Sequence, residues 1–235
     1  MVGNCSRPTR LSEHVGESLS SVEWIEITGR TLLVSGAALV VAVAIGIPLG
    51  VALATGRRFR LRGLLMAVVN TGMGLPPVVV GLVVALALFR GGPLGFLEWM
   101  YSVPAMVLAQ AVIAFPLVVG LTAAGVQQLD PKLAVQLRSL GASRLQLGWL
   151  LMREARLSVL AAVMAGFGGA LSEVGAVMMV GGNIRGQTRV LTTAIVQSTR
   201  MGQFEAAVIL GLVLLALAFA VNLYFTRLQQ GAARR

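Results

Sequence analysis

Five stretches of nearly unbroken apolar residues, at 31–55, 64–89, 103–126, 158–180 and 204–225, alternate with short segments that hold almost all the charge. A helix needs roughly 20 apolar residues to cross about 30 Å of hydrocarbon, so each stretch is long enough to span a bilayer. The first lies too far along the chain for a cleavable signal and lacks a short apolar core with a small-residue cleavage site, so it is read as a retained span. Ahead of it, Val15, Leu19, Val22 and Ile25 recur at helical spacing among Glu13, Glu17, Glu23 and Glu26. That pattern predicts an amphipathic helix lying in the interface within residues 1–30. The expected fold is an all-α integral membrane protein with about five spans.

Three of the spans are not simple anchors. The second contains Gly72, Gly74, Pro76 and Pro77, and a double proline removes two backbone donors and breaks the helix before it. Such a break is tolerated at membrane depth only where it is buried in protein or lines a cavity. The first span carries Gly46-Ile47-Pro48-Leu49-Gly50, read as a kink flanked by small residues, and the fourth is rich in Gly and Ala from Ala162 to Ala170. Small residues let helices approach closely, which places the fourth span centrally in a bundle or at a subunit interface. The one acid away from the ends of a span is Glu173, in Leu171-Ser172-Glu173-Val174-Gly175-Ala176. An intramembrane carboxylate is expensive and marks a functional position by default. Two readings stand: a gate or hinge together with Ser172, Gly175, Pro76 and Pro77, or a structural group that pairs with an Arg or accepts backbone N–H bonds at an irregularity.

Charge sets the expected orientation. The formal net charge is +10, with 57% hydrophobic residues and 12% charged ones, about half the charged fraction of a soluble domain. The connections at 56–63 and 127–157 and the C-terminal segment hold twelve basic residues against two acids, whereas the other side holds seven against six. Basic residues concentrate on the cytoplasmic side, so the N-terminus is expected outside and the C-terminus inside. Topology thus accounts for the positive charge without a nucleic-acid partner. One cysteine, Cys5, and one histidine, His14, exclude a disulfide framework, a Cys/His metal cluster and a nucleophile–His–acid set.

The connection at 127–157 reads as built structure. Asp130-Pro131 is a helix start, with Asp able to cap free N–H groups and Pro suited to the first helical position. Gly141 supplies the left-handed conformation that ends this helix near Leu140. Ser143-Arg144-Leu145-Gln146 then has the form of a capping box opening a second helix. Leu133, Leu137 and Leu140 are available to dock on a partner at the cytoplasmic face.

This helix–Gly–helix segment, Asp130-Pro131-Lys132-Leu133 leading to Ser139-Leu140-Gly141-Ala142-Ser143, resembles the membrane-spanning subunits of ABC importers. It departs from them in having Val135-Gln136-Leu137 where Glu-Ala-Ala is expected and Arg153-Glu154 where many members have Leu-Pro. Ile47-Pro48-Leu49-Gly50, the run from Leu75 to Leu82 and Phe115-Pro116-Leu117 look like the molybdate/sulfate branch. Ser172 to Ala176, followed by the run from Gly181 to Ile195, looks like its tungstate-type members. The resemblance covers roughly residues 24–226 and implies a permease domain over 31–226, whose loop at 127–157 carries a cytoplasmic coupling helix, with a basic tail at 227–235. It further implies a homodimer with two cytoplasmic ATP-binding subunits and an extracytoplasmic oxyanion-binding protein, in a prokaryotic inner membrane. ATP and magnesium would be held by the partner subunit and no cofactor by this chain. In agreement, a Walker A loop ends in Gly-Lys-Ser/Thr, and the only lysine, Lys132, follows Pro131.

The implied cargo is tungstate, with molybdate or sulfate as alternatives. For such an anion the outer loop is of interest: Gly181, Gly182, Asn183, Arg185, Thr188 and Arg189 sit in a segment, 181–203, that has no acid. Arginine forks and N–H groups of Gly-rich turns orient oxyanions, so these residues are candidates for the outer mouth. The alternative is a loop that turns the chain and docks the binding protein. An ion-coupled secondary transporter is the competing class, but one intramembrane acid and no visible internal repeat count against it.

Overall fold

The computed structural model describes residues 21–56 and 61–233. The predicted tail positions Val15 and Leu19, with Arg57, Arg58, Arg60, Arg234 and Arg235, lie outside them. Among the described residues the regular structure is helical. Helix α1 (Ser21–Thr55) is followed by α2 (Arg62–Met73), α3 (Pro77–Leu88), a single 3₁₀ turn (Gly95–Leu97) and α4 (Val103–Gln127). Then come α5 (Pro131–Ser139), α6 (Arg144–Glu154), α7 (Arg156–Leu171), α8 (Gly175–Gly181), α9 (Leu191–Arg200) and α10 (Phe204–Ala233).

Helices α1, α4 and α10 are each long and apolar enough to cross a membrane. The expected second and fourth spans are bent pairs, α2 with α3 at 106° and α7 with α8 at 57°. Counting each pair as one span gives five. The first bend falls where the sequence removes helical hydrogen bonds. Pro76 is extended (φ −60°, ψ 124°) and Pro77 opens α3 at the position where a missing N–H costs nothing. Pro48 and Pro116, by contrast, lie inside continuous helices. Helix α1 starts well before the predicted span at 31, so the described part of the expected interfacial segment is continuous with the span.

The bundle is organised around α4, which packs against α1, α7, α2, α8 and α3. The α1–α4 contact depends on small residues: a Cβ on Gly50 would lie 2.8 Å from the Val119 carbonyl oxygen. On the other side of α4, a Cβ on Gly125 would collide with the side chain of Ser158 at the start of α7. With no solvent to expel, close van der Waals approach is what holds membrane helices together, and these glycines permit it. The buried residues Ala42, Ala114, Val118 and Ala170 complete the α1–α4–α7 seam.

Much apolar surface faces outward. On α10, Val208, Leu212, Leu215 and Phe219 are all exposed, as are Val78, Val79, Leu82, Val83 and Leu86 on α3. A monomeric soluble protein does not display such continuous apolar faces, but a lipid-embedded one does. Polar loops gather at the two ends. At one end Tyr101 donates its N–H to the Val180 carbonyl at 2.8 Å and Arg185 pairs with Glu23. At the other, Val51, Val126, Leu147, Leu151 and Ala155 form a small apolar core beneath α5 and α6.

Candidate translocation path, outer loop and docking face

The two helix breaks meet. Helix α7 ends at Leu171, where the Ser172 N–H still reaches the Gly168 carbonyl at 3.0 Å. Helix α8 then restarts at Gly175, and its free Ala176 N–H donates to Oε1 of Glu173 at 2.9 Å. Glu173 is buried, 6% exposed, and its own carbonyl accepts from the Thr192 hydroxyl at 3.1 Å. Of the two sequence readings, the arrangement displays the structural one: the carboxylate caps the irregularity it sits in. A carboxylate accepting a backbone N–H in an apolar setting is a strong bond, and it fixes the direction of α8.

Next to this break lies the start of α3. A Cβ on Gly175 would lie 2.8 Å from Cγ2 of Val78, and one on Gly81 would lie 2.5 Å from Cα of Ala176. The structure therefore brings together the segment after Pro76 and Pro77 and the segment at Glu173 and Gly175, while Ser172 is exposed. Glu173→Ala would leave the Ala176 N–H without its partner, at an expected cost of about 1–3 kcal/mol. Glu173→Gln keeps a carbonyl acceptor and should cost less. Thermal unfolding in detergent tests this: equal melting temperatures for the two variants would contradict the capping role.

The segment at 181–190 is a closed loop held mainly by its own backbone. Gly182 and Gly186 have φ of +69° and +76°, and Asn183 joins them at +52°. The Ile184 carbonyl accepts from the N–H groups of Gln187, Thr188 and Arg189 at 3.1, 2.9 and 3.1 Å. Thr188 is buried, accepting the Ile184 N–H at 2.9 Å and donating its hydroxyl to the Gly181 carbonyl. The Asn183 amide donates to Gln197 of α9. Gly181 and Gly182 pack against Met106 and Tyr101.

Arg185 and Arg189 are not acid-free in three dimensions. Glu23 of α1 accepts from Nε of Arg185 at 2.9 Å and from its Nη2 at 2.8 Å, and Nη1 of Arg189 lies 3.6 Å from Oε1 of the same carboxylate. Arg30, two turns along α1, donates to the carbonyls of Arg189 and Gly186 at 3.0 and 2.7 Å. Burial pulls the Arg189 pKa below the ordinary arginine value, Glu23 opposes that shift and Arg185 adds to it.

Sequence reasoning missed Glu23, Arg30 and the helix α9. The signal for α9 was present: Leu191, Ala194, Ile195 and Ser198 recur at helical spacing, and Leu191, Ala194 and Ser198 are buried.

At the opposite end the α5–turn–α6 segment forms as its residues predict. Asp130 accepts the Lys132 N–H at 2.8 Å, with Pro131 as the first helical residue. Helix α5 ends in a Schellman motif: the Gly141 N–H reaches the Arg138 carbonyl at 3.0 Å and the Ala142 N–H reaches that of Leu137 at 3.1 Å. Ser143 and Gln146 cap α6 reciprocally at 3.3 and 2.9 Å. The expected row of docking leucines is divided. Leu133 and Leu137 turn inward onto the small apolar core, because α5 needs one face to lie on the bundle. Leu140 faces outward, 84% exposed, and is joined by Leu145 and Trp149 of α6. A groove of about 1180 Å³ runs beside them, lined in part by Arg138, Ala142, Arg144, Leu145, Trp149 and Pro48.

Residues 46–234 match the family described as "Binding-protein-dependent transport system inner membrane component". The chain belongs to this family. It is accordingly a multi-pass inner-membrane transport component rather than an ATP-hydrolysing subunit. It is 44% identical over 200 residues, 85% of this chain and 87% of the relative, to the "Tungstate uptake system permease protein TupB" of Peptoclostridium acidaminophilum. A "Probable anion ABC transporter permease protein" of Haloferax volcanii is 40% identical over 203 residues, 84% of this chain and 87% of the relative. Among solved structures, a chain from an inward-facing methionine ABC transporter, MetNI, superposes with a TM-score of 0.76 at 17% identity, covering 90% of this chain and 97% of that one. At that identity the likeness concerns the fold alone.

Proposed function

We propose that this chain is the transmembrane subunit of an ATP-driven importer and forms the path for a tetrahedral oxyanion, tungstate foremost. The reading rests on the 44% identity to a tungstate uptake permease over most of both chains. It works as a homodimer with two ATP-binding subunits at the α5–α6 face and an extracytoplasmic oxyanion-binding protein at the opposite end. Three features support that assignment of ends. The basic residues concentrate around α5 and α6, the loop carrying Arg185 and Arg189 lies at the other end, and Leu140, Leu145 and Trp149 offer an exposed apolar surface beside Arg138 and Arg144. ATP and magnesium belong to the partner subunit. Asp130, Pro131, Gly141, Ala142 and Ser143 frame the coupling element. The break around Pro76, Pro77, Glu173 and Gly175 is the flexible part of the path, with Glu173 setting its geometry rather than binding an anion it would repel.

Reconstitution of the chain with its ATP-binding subunit and binding protein in proteoliposomes tests this. ATP-dependent tungstate uptake is expected, together with tightest binding of tungstate to the binding protein when it is titrated with tungstate, molybdate and sulfate. Uptake of molybdate or sulfate in preference would move the substrate to the alternative. Uptake driven by an ion gradient without ATP would overturn the reading.

A further inference from the structure

We infer that Arg185 and Arg189 form an oxyanion-binding site at the outer mouth, and that Glu23 occupies it as a built-in stand-in for the transported anion. The inference deepens the proposed function and rests on its oxyanion substrate. Its basis is the way the carboxylate is held. Both oxygens of Glu23 meet the fork of Arg185, Oε1 at 2.9 Å from Nε and Oε2 at 2.8 Å from Nη2. Oε1 also faces Nη1 of Arg189 at 3.6 Å. Two oxygens between guanidinium groups is the geometry that a tetrahedral oxyanion adopts with arginine, since the planar fork serves carboxylate, phosphate and similar anions alike.

The carboxylate leaves part of the hydrogen bonding of this place unfilled. Glu26, the next acid on α1, is exposed. Nε of Arg189 is buried and has no acceptor. A carboxylate has two oxygens to offer, while a tetrahedral oxyanion has four.

The surroundings suit exchange. Arg30 holds the loop through its carbonyls rather than through Glu23, so the loop keeps an attachment to α1 when the carboxylate leaves. The Arg185 side chain is 53% exposed, whereas those of Glu23 and Arg189 are 11% and 14% exposed. An arriving anion therefore meets Arg185 first and passes inward to Arg189. While no anion is present, the carboxylate pairs with Arg185 and clasps α1 to the loop leading back to α8. Arriving anion displaces it and opens that clasp.

Equilibrium binding of tungstate to the assembled transporter in lipid nanodiscs, without the binding protein, tests the inference. Glu23→Gln removes the competing charge and is expected to tighten tungstate binding about tenfold or more, the scale of one charge-assisted pair. Glu26→Gln removes the same charge one turn away and should leave binding at the wild-type value. Adding Arg185→Gln and Arg189→Gln to Glu23→Gln should abolish the gain. Binding no tighter in Glu23→Gln, equal tightening by Glu26→Gln, or a gain that survives loss of both arginines would overturn the inference.

A measurement on the unaltered protein keeps it testable if Glu23→Gln does not assemble. Saturating tungstate should slow modification of Arg185 by phenylglyoxal, and an unchanged rate would count against the site. The two levels separate cleanly. A wild-type complex that imports no oxyanion overturns the proposed function. One that imports tungstate while Glu23→Gln binds it no more tightly overturns the stand-in alone.

Discussion

Gly141→Pro is expected to abolish substrate-stimulated ATP hydrolysis and uptake in the assembled transporter while leaving the membrane bundle folded. Gly141 has φ of +87°, and proline is confined to about −65°. The substitution also deletes the N–H that donates to the Arg138 carbonyl at 3.0 Å, and it misdirects the Ala142 N–H away from Leu137. The cost is about 3 kcal/mol or more, concentrated in a turn that has open space around it. Helices α5 and α6 would each survive on their own caps, but the angle between them would not. Since Leu133 and Leu137 are anchored on the bundle and Leu140 is exposed, a changed angle redirects the docking face. Gly141→Ala, confined to the strain of a left-handed non-glycine residue at about 1–2 kcal/mol, should give an intermediate defect. Normal stimulated ATPase activity and uptake in Gly141→Pro would remove the basis for assigning coupling to this turn.

Gly81→Val is expected to be the most damaging single change within the spans. A Cβ there would lie 2.5 Å from Cα of Ala176 and 3.0 Å from its Cβ. Backbone cannot swing aside as a flexible side chain can. Helix α3 would have to move off α8, opening the cluster that includes Val80, Val84, Val177 and Val180. Overpacking of this kind costs about 1–3 kcal/mol or more, so the melting temperature in detergent should fall by several degrees, about 2–4 °C for each kcal/mol at this chain length. Uptake should be lost with it, because the contact joins the segments flanking both helix breaks. Gly91→Val, in open space, is the matched control. An unchanged melting temperature in Gly81→Val would mean that α3 and α8 are not packed as described.

The spans were legible because a membrane imposes a one-dimensional constraint. Length and apolarity suffice to find a segment that must cross hydrocarbon, and the expected stretch at 103–126 reappears as α4 (Val103–Gln127). Local hydrogen-bond chemistry was equally legible. The Asp130 cap, the glycine stop at 141 and the Ser143–Gln146 box each involve groups within a few residues of one another, so spacing alone specifies them. Less visible was α9, whose polar residues Thr192, Thr193 and Ser198 face inward and give a threonine-rich stretch the look of a loop. Leu133 and Leu137 misled for a related reason: a leucine stripe shows that a helix has an apolar face, not which body covers it.

By itself, then, the sequence determined the apolar stretches that can cross a membrane, the break at Pro76-Pro77, and the capped helix–Gly–helix segment. These follow from the transfer cost of polar groups into lipid and from local backbone geometry. Only the tertiary structure decided what the ionisable groups do. Glu173 became a cap because α8 restarts within bonding distance of its carboxylate. Arg185 and Arg189 acquired a counter-charge because Glu23, 162 residues from Arg185, folds against them. Coulombic pairing depends on distance in space, and a segment that carries no acid in sequence can still be met by one brought in on another helix.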